Sequence, residues 1–307
     1  MGVNLQLLAM QSVPRLAKKL GAKVSFPERA MSVPATPDEF KRLLDECGRI
    51  IDSFFKQFKI SWWDVYVNSD IGLERMAIAQ EMQLRDHDVV LDVGCGRGYF
   101  SVAAAKSSRV VVGVDSMDGV ERPGWWRNFN TCMNELNLCE RVSAVKSDAE
   151  HLPLRSSSFN VVAAVHSIRN FPSYLSVETA LKEMKRVAVK GGRVIIAENL
   201  PVAQTKAQES HLLMFNCKVK YTSGELNYPS EARVAEMFEK TGFKIIKIKR
   251  LSYNWSATPP LFCIDNQLTS LTESEREKAK KEYDEAAGKI RKWGEVSPPT
   301  LFAEGTK

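Results

Sequence analysis

The sequence predicts an α/β fold with a doubly wound, mainly parallel sheet. Three observations predict it. Apolar runs recur at 89–93, 110–114, 142–145, 159–165 and 193–197, with helical patterns between them. That alternation is the mark of parallel strands joined by crossover helices. The first run, Val89-Val90-Leu91-Asp92-Val93, leads directly into Gly94-Cys95-Gly96-Arg97-Gly98. Glycines at alternate positions let a strand turn tightly into a helix while a ligand approaches the backbone. Finally, Asp92, Asp115, Asp148 and His166 each fall at the carboxyl end of a strand. In an open α/β sheet that end is the ligand-binding rim.

Each element follows in order. A helix is expected over Tyr99–Lys106, with Ala103, Ala104 and Ala105 in its body. Arg109 to Asp115 reads as a buried parallel strand. Its terminal acid, about twenty residues past the glycines, suits a ribose hydroxyl pair. Read alone, Asp115 is equally a strand-end turn residue. Arg141 to Asp148 alternates and reads as the third strand, and Ser158 to His166 as the fourth. A helix over Ser176–Val189, Gly191-Gly192 and a strand over Arg193–Glu198 follow. Ser230 to Lys240 reads as a helix closed by Gly242, and Phe243 to Lys249 as a strand. Residues 259–264 are expected to complete a terminal antiparallel hairpin.

The spacing of the glycines bears on the cofactor. A dinucleotide turn reads G-x-G-x-x-G and cradles a pyrophosphate. Here it is G-x-G-x-G with Asp92 just ahead, an acid that would repel a pyrophosphate and suits a cationic amino group. The stretch resembles the first motif of the class I S-adenosylmethionine (SAM) methyltransferases, (D/E)-x-G-x-G-x-G. The resemblance spans roughly residues 85–250 and implies a seven-stranded sheet that binds SAM and releases S-adenosylhomocysteine. It places Asp92, Gly94, Cys95, Gly96 and Gly98 around the methionine part. It gives Asp115 to the ribose, with Ser116 and Met117 beside it, and Asp148 with Ala149 to the adenine, close to His166. Asn160 departs from the Phe-Asp usual at the start of the fourth strand.

The residues after the fourth strand bear on the acceptor. Ile168-Arg169-Asn170-Phe171 and Asp148-Ala149-Glu150-His151-Leu152-Pro153 are similar to motifs of the ubiquinone/menaquinone-biosynthesis C-methyltransferases. Asn68-Ser69 with Gly72 and Arg75 resembles that family less closely. The resemblance implies that Arg169 binds and polarises an oxygen of an aromatic acceptor and that Asn170 positions it. A fixed guanidinium would stabilise a phenolate as it forms. The other reading of Arg169 is a structural ion pair. His166 and His211 are further candidates for a general base, each with a structural role as its alternative. The chain lacks both the Asn/Asp-Pro-Pro-Tyr/Phe of amine and amide methylation and the Pro-Cys of cytosine-C5 methylation. The sequence after the fifth strand, residues 199–228, does not reproduce the quinone family.

Composition bounds the rest. The chain has 307 residues, 44% of them hydrophobic, which suits one enlarged α/β core with appended pieces. No apolar run reaches membrane-spanning length. Leu5, Leu7 and Leu8 lack a preceding basic residue, so no secretory signal is expected. Six cysteines are scattered without a C-x-x-C, which predicts no metal site and a cytoplasmic setting. The formal net charge of +6 is compatible with nucleic acid or anionic surfaces, but surface chemistry explains it as well.

Three segments are expected: 1–84 as a helical N-terminal extension, 85–265 as the SAM-binding core with a substrate-side insertion at 199–228, and 266–307 as a helical tail. In the first, Thr36-Pro37-Asp38-Glu39 starts an amphipathic helix running to Phe58. The aromatic cluster Trp62-Trp63-Asp64-Val65-Tyr66 is either a lid or core. In the tail, Leu271, Ala279, Tyr283, Ala286, Ile290 and Trp293 mark a narrow seam, either docked on the core or forming a homodimer contact. Three readings follow: a methyltransferase for a small aromatic, quinone-precursor or lipid-like acceptor; an RNA or protein methyltransferase, supported only by charge and flanks; and a non-catalytic SAM-binding subunit. The intact acids and glycines disfavour the last.

Overall fold

The computed structural model describes residues 23–25, 30–32, 71–96, 98–116, 129–130, 133–134, 138–222, 228–253 and 271–307. The expected helix over 36–58, the aromatic cluster at 62–66, the 259–264 strand, Arg97 and Met117 lie outside the described residues.

Strands β1 (Lys23–Ser25) and β2 (Ala30–Ser32) pair antiparallel. The main sheet has seven strands: β3 (Val89–Val93), β4 (Val110–Asp115), β5 (Val142–Lys146), β6 (Phe159–Val165), β7 (Ala188–Asn199), β8 (Lys244–Leu251) and β9 (Thr300–Thr306). Their spatial order is β5-β4-β3-β6-β7-β9-β8. Strands β5 to β7 in that order are mutually parallel, while β9 runs antiparallel to both β7 and β8. From β3 the chain winds outward through β4 and β5, then returns to β6 on the other side. The switch between β3 and β6 opens a crevice at their carboxyl ends.

Alternation along each strand divides its side chains between two layers. Val90, Val111, Val161, Ala163 and Ile195 face one core with Ile78, Met82, Phe100 and Val102 from α1 (Ile71–Glu81), its flank and α2 (Tyr99–Ala104). Leu91, Val93, Val114, Val162 and Ile196 face the other, with Leu181 and Met184 of α3 (Tyr174–Val187) and Met237 and Phe238 of α5 (Glu231–Lys240). Covering both faces is why these strands read as unbroken apolar runs. Caps fix the helix starts: Ser173 accepts the Ser176 N–H on α3, and Ser230 accepts the Arg233 N–H on α5. Asn160, where an Asp is usual, accepts the Val89 N–H at 2.9 Å and needs no charge to do so.

Two boundaries require correction. Among the described residues β9, from Thr300, closes the sheet, and it lies between β7 and β8. The expected helical tail at 266–307 therefore contains a strand of the core as well as the helix α6 (Glu273–Trp293). Thr272 and Glu275 form the capping box that starts α6. The division at residue 85 is also too late, since Ile78 and Met82 are fully buried in the core. The insertion folds as α4 (Lys206–Thr222), which packs along α6. The buried part of the α6 seam, Ala279 and Ala286, is thus covered within the chain, and Lys220 pairs with Glu282 at 2.7 Å across the rim. No helix among the described residues is long and apolar enough to cross a membrane.

Candidate active site

The β3–α2 turn is built by backbone bonds. The N–H groups of Gly94 and Cys95 both donate to the Val114 carbonyl, at 2.7 and 3.0 Å. Gly94, Gly96 and Gly98 all have positive φ, at 73°, 50° and 77°. A Cβ on Gly94 would run into Ser167, whose hydroxyl donates to the Val93 carbonyl at 2.8 Å. The two strand ends at the switch point are stitched together there. The Gly96 N–H donates to Oδ2 of Asp115 at 2.8 Å, so the hinge aims the acid that ends β4.

A cleft of about 380 Å³ opens at these strand ends. That is within the range of small-molecule sites, roughly 300–1,000 Å³. Gly94, Gly96, Asp115, Ser116, Asp148, Ala149, His166 and Asn170 all line it. The lining comes from four separate stretches of chain, at the ends of β3, β4, β5 and β6. Asp148 is exposed, and its Oδ1 accepts the Glu150 N–H at 2.9 Å, which shapes the turn carrying Ala149.

Three expected cofactor residues do not line the cleft. Asp92 is 1% exposed and accepts the Ser101 hydroxyl at 2.6 Å, so it turns into the α2 layer rather than along the rim. Burial pushes its carboxyl up to about 7, against the restraint of the Ser101 hydrogen bond, and the negative Asp115 adds to the rise. Cys95 is buried, with Sγ filling the space over Gly113. Burial raises its thiol well above the usual range. Gly98 starts α2 and packs under Phe129.

At the ends of β6 and β7 lies a charged cluster that the sequence did not announce. Its centre is Glu198, fully buried. Oε1 of Glu198 accepts from Arg169 Nη1 at 2.6 Å and lies 3.3 Å from His166 Nδ1. Its Oε2 accepts the Arg169 backbone N–H at 3.3 Å. On the other side of the imidazole, His166 Nε2 is 3.2 Å from Oε1 of Glu74, on α1. These two atoms are buried and make no aligned hydrogen bond to each other or to any other described residue. Arg75 completes the group, 2.5 Å from Oε2 of Glu74. Burial alone would raise both carboxyls. Instead His166 and Arg75 hold Glu74 well below the usual carboxylate range, and Arg169 and His166 hold Glu198 down.

Arg169 itself is beside the cleft rather than on its lining. It ends in the 3₁₀ turn Ile168–Asn170, and its guanidinium lies over the Phe215 ring at 5.5 Å. Phe215 meets Tyr228 edge-on at 5.6 Å and stacks on His211 at 6.2 Å. Burial pushes the Tyr228 phenol up, partly offset by Arg169. His211 is committed elsewhere: Nδ1 is 2.7 Å from Oε1 of Glu295, tying α4 to the segment after α6. Sequence reasoning missed Glu74, Glu198 and Glu295 as site or support residues. Glu198 could have been found, because it too ends a strand at the binding rim.

Residues 91–196 match the family described as "Methyltransferase domain". The chain is similar to demethylmenaquinone methyltransferase of Staphylococcus aureus, 27% identical over 193 residues, or 57% of this chain and 76% of that one. It shares its fold with two solved structures at 17% identity. One is a cyclopropane-fatty-acyl-phospholipid synthase-like protein from Lactobacillus casei, at TM-score 0.57, covering 77% of this chain and 90% of that one. The other is a Bacillus halodurans protein described as a putative methyltransferase, at TM-score 0.53, covering 76% and 99%.

Proposed function

We propose that this chain, a SAM-dependent methyltransferase of the class I fold, methylates a small aromatic acceptor of the quinone-precursor type. The observation that carries the reading is Arg169, held beside the cleft by a buried carboxylate with its guanidinium over the Phe215 ring. A guanidinium on an aromatic wall suits a flat ring bearing a phenolic oxygen. The similarity to a relative named for demethylmenaquinone points the same way.

The cleft suits the cofactor in shape and donor set. Gly94 and Gly96 bring backbone to its surface, and Asp115 and Asp148 supply carboxylates at the ends of β4 and β5. Asp115 would accept from the ribose hydroxyls. Asp148 and the backbone of Ala149 would meet the adenine. When bound, SAM supplies an electrophilic methyl group on a sulfonium. The protein aligns the acceptor with it and keeps water out. Arg169 would hold the acceptor oxygen and favour its ionised form, which makes the ring nucleophilic. Asn170, on the cleft wall, would set the ring's orientation. His211, paired with Glu295, is better suited to holding α4 in place than to taking a proton.

The test supplies methyl-labelled SAM with a demethylated menaquinol, a simple naphthoquinol, bulk tRNA and a protein extract in parallel. Label on the quinols supports the reading. Label on RNA or protein, with none on any quinol, overturns it.

A further inference from the structure

We infer that Glu198 is a positioning residue for methyl transfer, an anchor that orients both Arg169 and His166 beside the cleft. The inference rests on the acceptor-side reading of Arg169 given above.

The geometry makes Glu198 a hub. Its two oxygens take the Arg169 side chain, the Arg169 backbone N–H, the Asn199 N–H at 3.0 Å and the edge of the His166 imidazole. Binding one arginine through both backbone and guanidinium fixes the whole 3₁₀ turn, not only the side-chain tip. That turn carries Asn170 into the cleft wall. One carboxylate therefore sets a charged group and a wall residue together.

The cost of the arrangement argues that it is functional. A fully buried carboxylate is expensive unless paired and hydrogen-bonded. His166 also adopts φ 51°, a left-handed backbone that is uncommon outside glycine. Strain of this kind persists where surrounding structure over-determines it, often beside an active site. Here Glu198 holds the ring from one side and Glu74, from α1, faces it from the other. Among the described residues, the charges that face the imidazole are Glu74 on α1, Glu198 on β7 and Arg169 on the 3₁₀ turn, with Arg75 behind Glu74. Arg169 pairs with Glu198 and Arg75 with Glu74.

The test compares Glu198→Gln and Glu198→Asp in the full chain. The Gln variant keeps the shape and removes the charge; the Asp variant keeps the charge and shortens the reach. On a quinol acceptor, Glu198→Gln is expected to lower kcat by about 10²-fold, the effect of a misplaced reacting group. SAM affinity by calorimetry should stay at the wild-type value, and the pH profile of kcat should be displaced. Glu198→Asp should recover part of the loss. An unchanged kcat and pH profile in the Gln variant, or a loss of SAM affinity as large as the loss of kcat, would overturn the inference. If the Gln variant fails a thermal melt, the Asp variant decides by the same readings. A readout free of any acceptor is exchange of the Arg169 guanidinium protons by NMR, identified with Arg169→Lys. It should be slow in wild type and fast in Glu198→Gln, and equal rates would sink the proposal. Wild-type protein inactive on quinols but showing that contrast would instead count against the acceptor assignment alone.

Discussion

The cleft and the charged cluster beside it are built on opposite principles. The part of the cleft formed by β3, β4 and β5 uses short-range rules. A turn with three left-handed glycines delivers backbone to the surface, and acids at strand ends stand partly in solvent. The cluster beside it, from β6, β7, the 3₁₀ turn and α1, buries its charges and balances them against each other. A partly solvated carboxylate is stabilised by water as well as by the backbone N–H groups beside it. A buried one lacks that water, so its partners must come with it from distant parts of the chain. The cleft is therefore expected to be sensitive in ligand affinity, and the cluster in turnover.

The variant expected to have the largest effect is Asp115→Ala. If the cleft works as described, SAM affinity in a calorimetric titration falls roughly 10³-fold, since two hydrogen bonds to a charged acceptor are each worth about 1.5–3 kcal/mol. Unchanged affinity would break the contrast at its first term. Arg169→Ala comes next. It should lower kcat by about 10²-fold, as removal of one fixed donor does, with SAM affinity little altered. A collapse of the melting transition instead would make the Arg169–Glu198 pair purely structural.

Gly94→Ala tests the seam between the two. The residue has φ 73° and no room for a Cβ beside Ser167. A loss of about 1–3 kcal/mol is expected, read as a lower midpoint in chemical denaturation, with SAM affinity falling in parallel. The smallest effect is one of sign. The Asp92 carboxyl titrates at about 7 in the fold and at 3.8 ordinarily, so the folded state holds its proton longer. Its contribution is neutral at pH below both values and becomes a penalty as pH rises from about 4 to 7. Asp92→Asn should therefore be more stable than wild type at pH 8 and indistinguishable at pH 3.5. A gain of equal size at both would rule out the burial account. Glu74 and Glu198 run the other way: held down in the fold, they stabilise it above the ordinary carboxylate range and lose that contribution as pH falls through it.

The same contrast explains what could be read from the chain. Val89–Val93, the glycine turn, Asp115 and Asp148 were legible because each is a local pattern with a local cause. Asp92 was misplaced because period-2 alternation decides which layer a strand residue enters, and here it faces Ser101 on α2. Glu74 was invisible, since only the packing of α1 brings it 3.2 Å from His166, far along the sequence. A strand at 259–264 is expected because such sheets usually end in an antiparallel hairpin, and those residues lie outside the described ones. Nothing local distinguishes Thr300–Thr306 until the sheet needs an antiparallel partner between β7 and β8. His211 looked like a base on composition alone, and its partner Glu295 lies on the far side of α6 in sequence.

The placement of β9 has a consequence for the order of assembly. Among the described residues, β8 forms its ladder with β9 and with no other strand. The stretch from 252 to 299 must be traversed before β9 can slot in. Until then β7 presents an open apolar edge and β8 has nothing to join. Closing so distant a loop is slow. Strands β3, β4 and β5 find all their partners without β9, whereas β7, which carries Glu198, gains its second neighbour only once that last segment is in place.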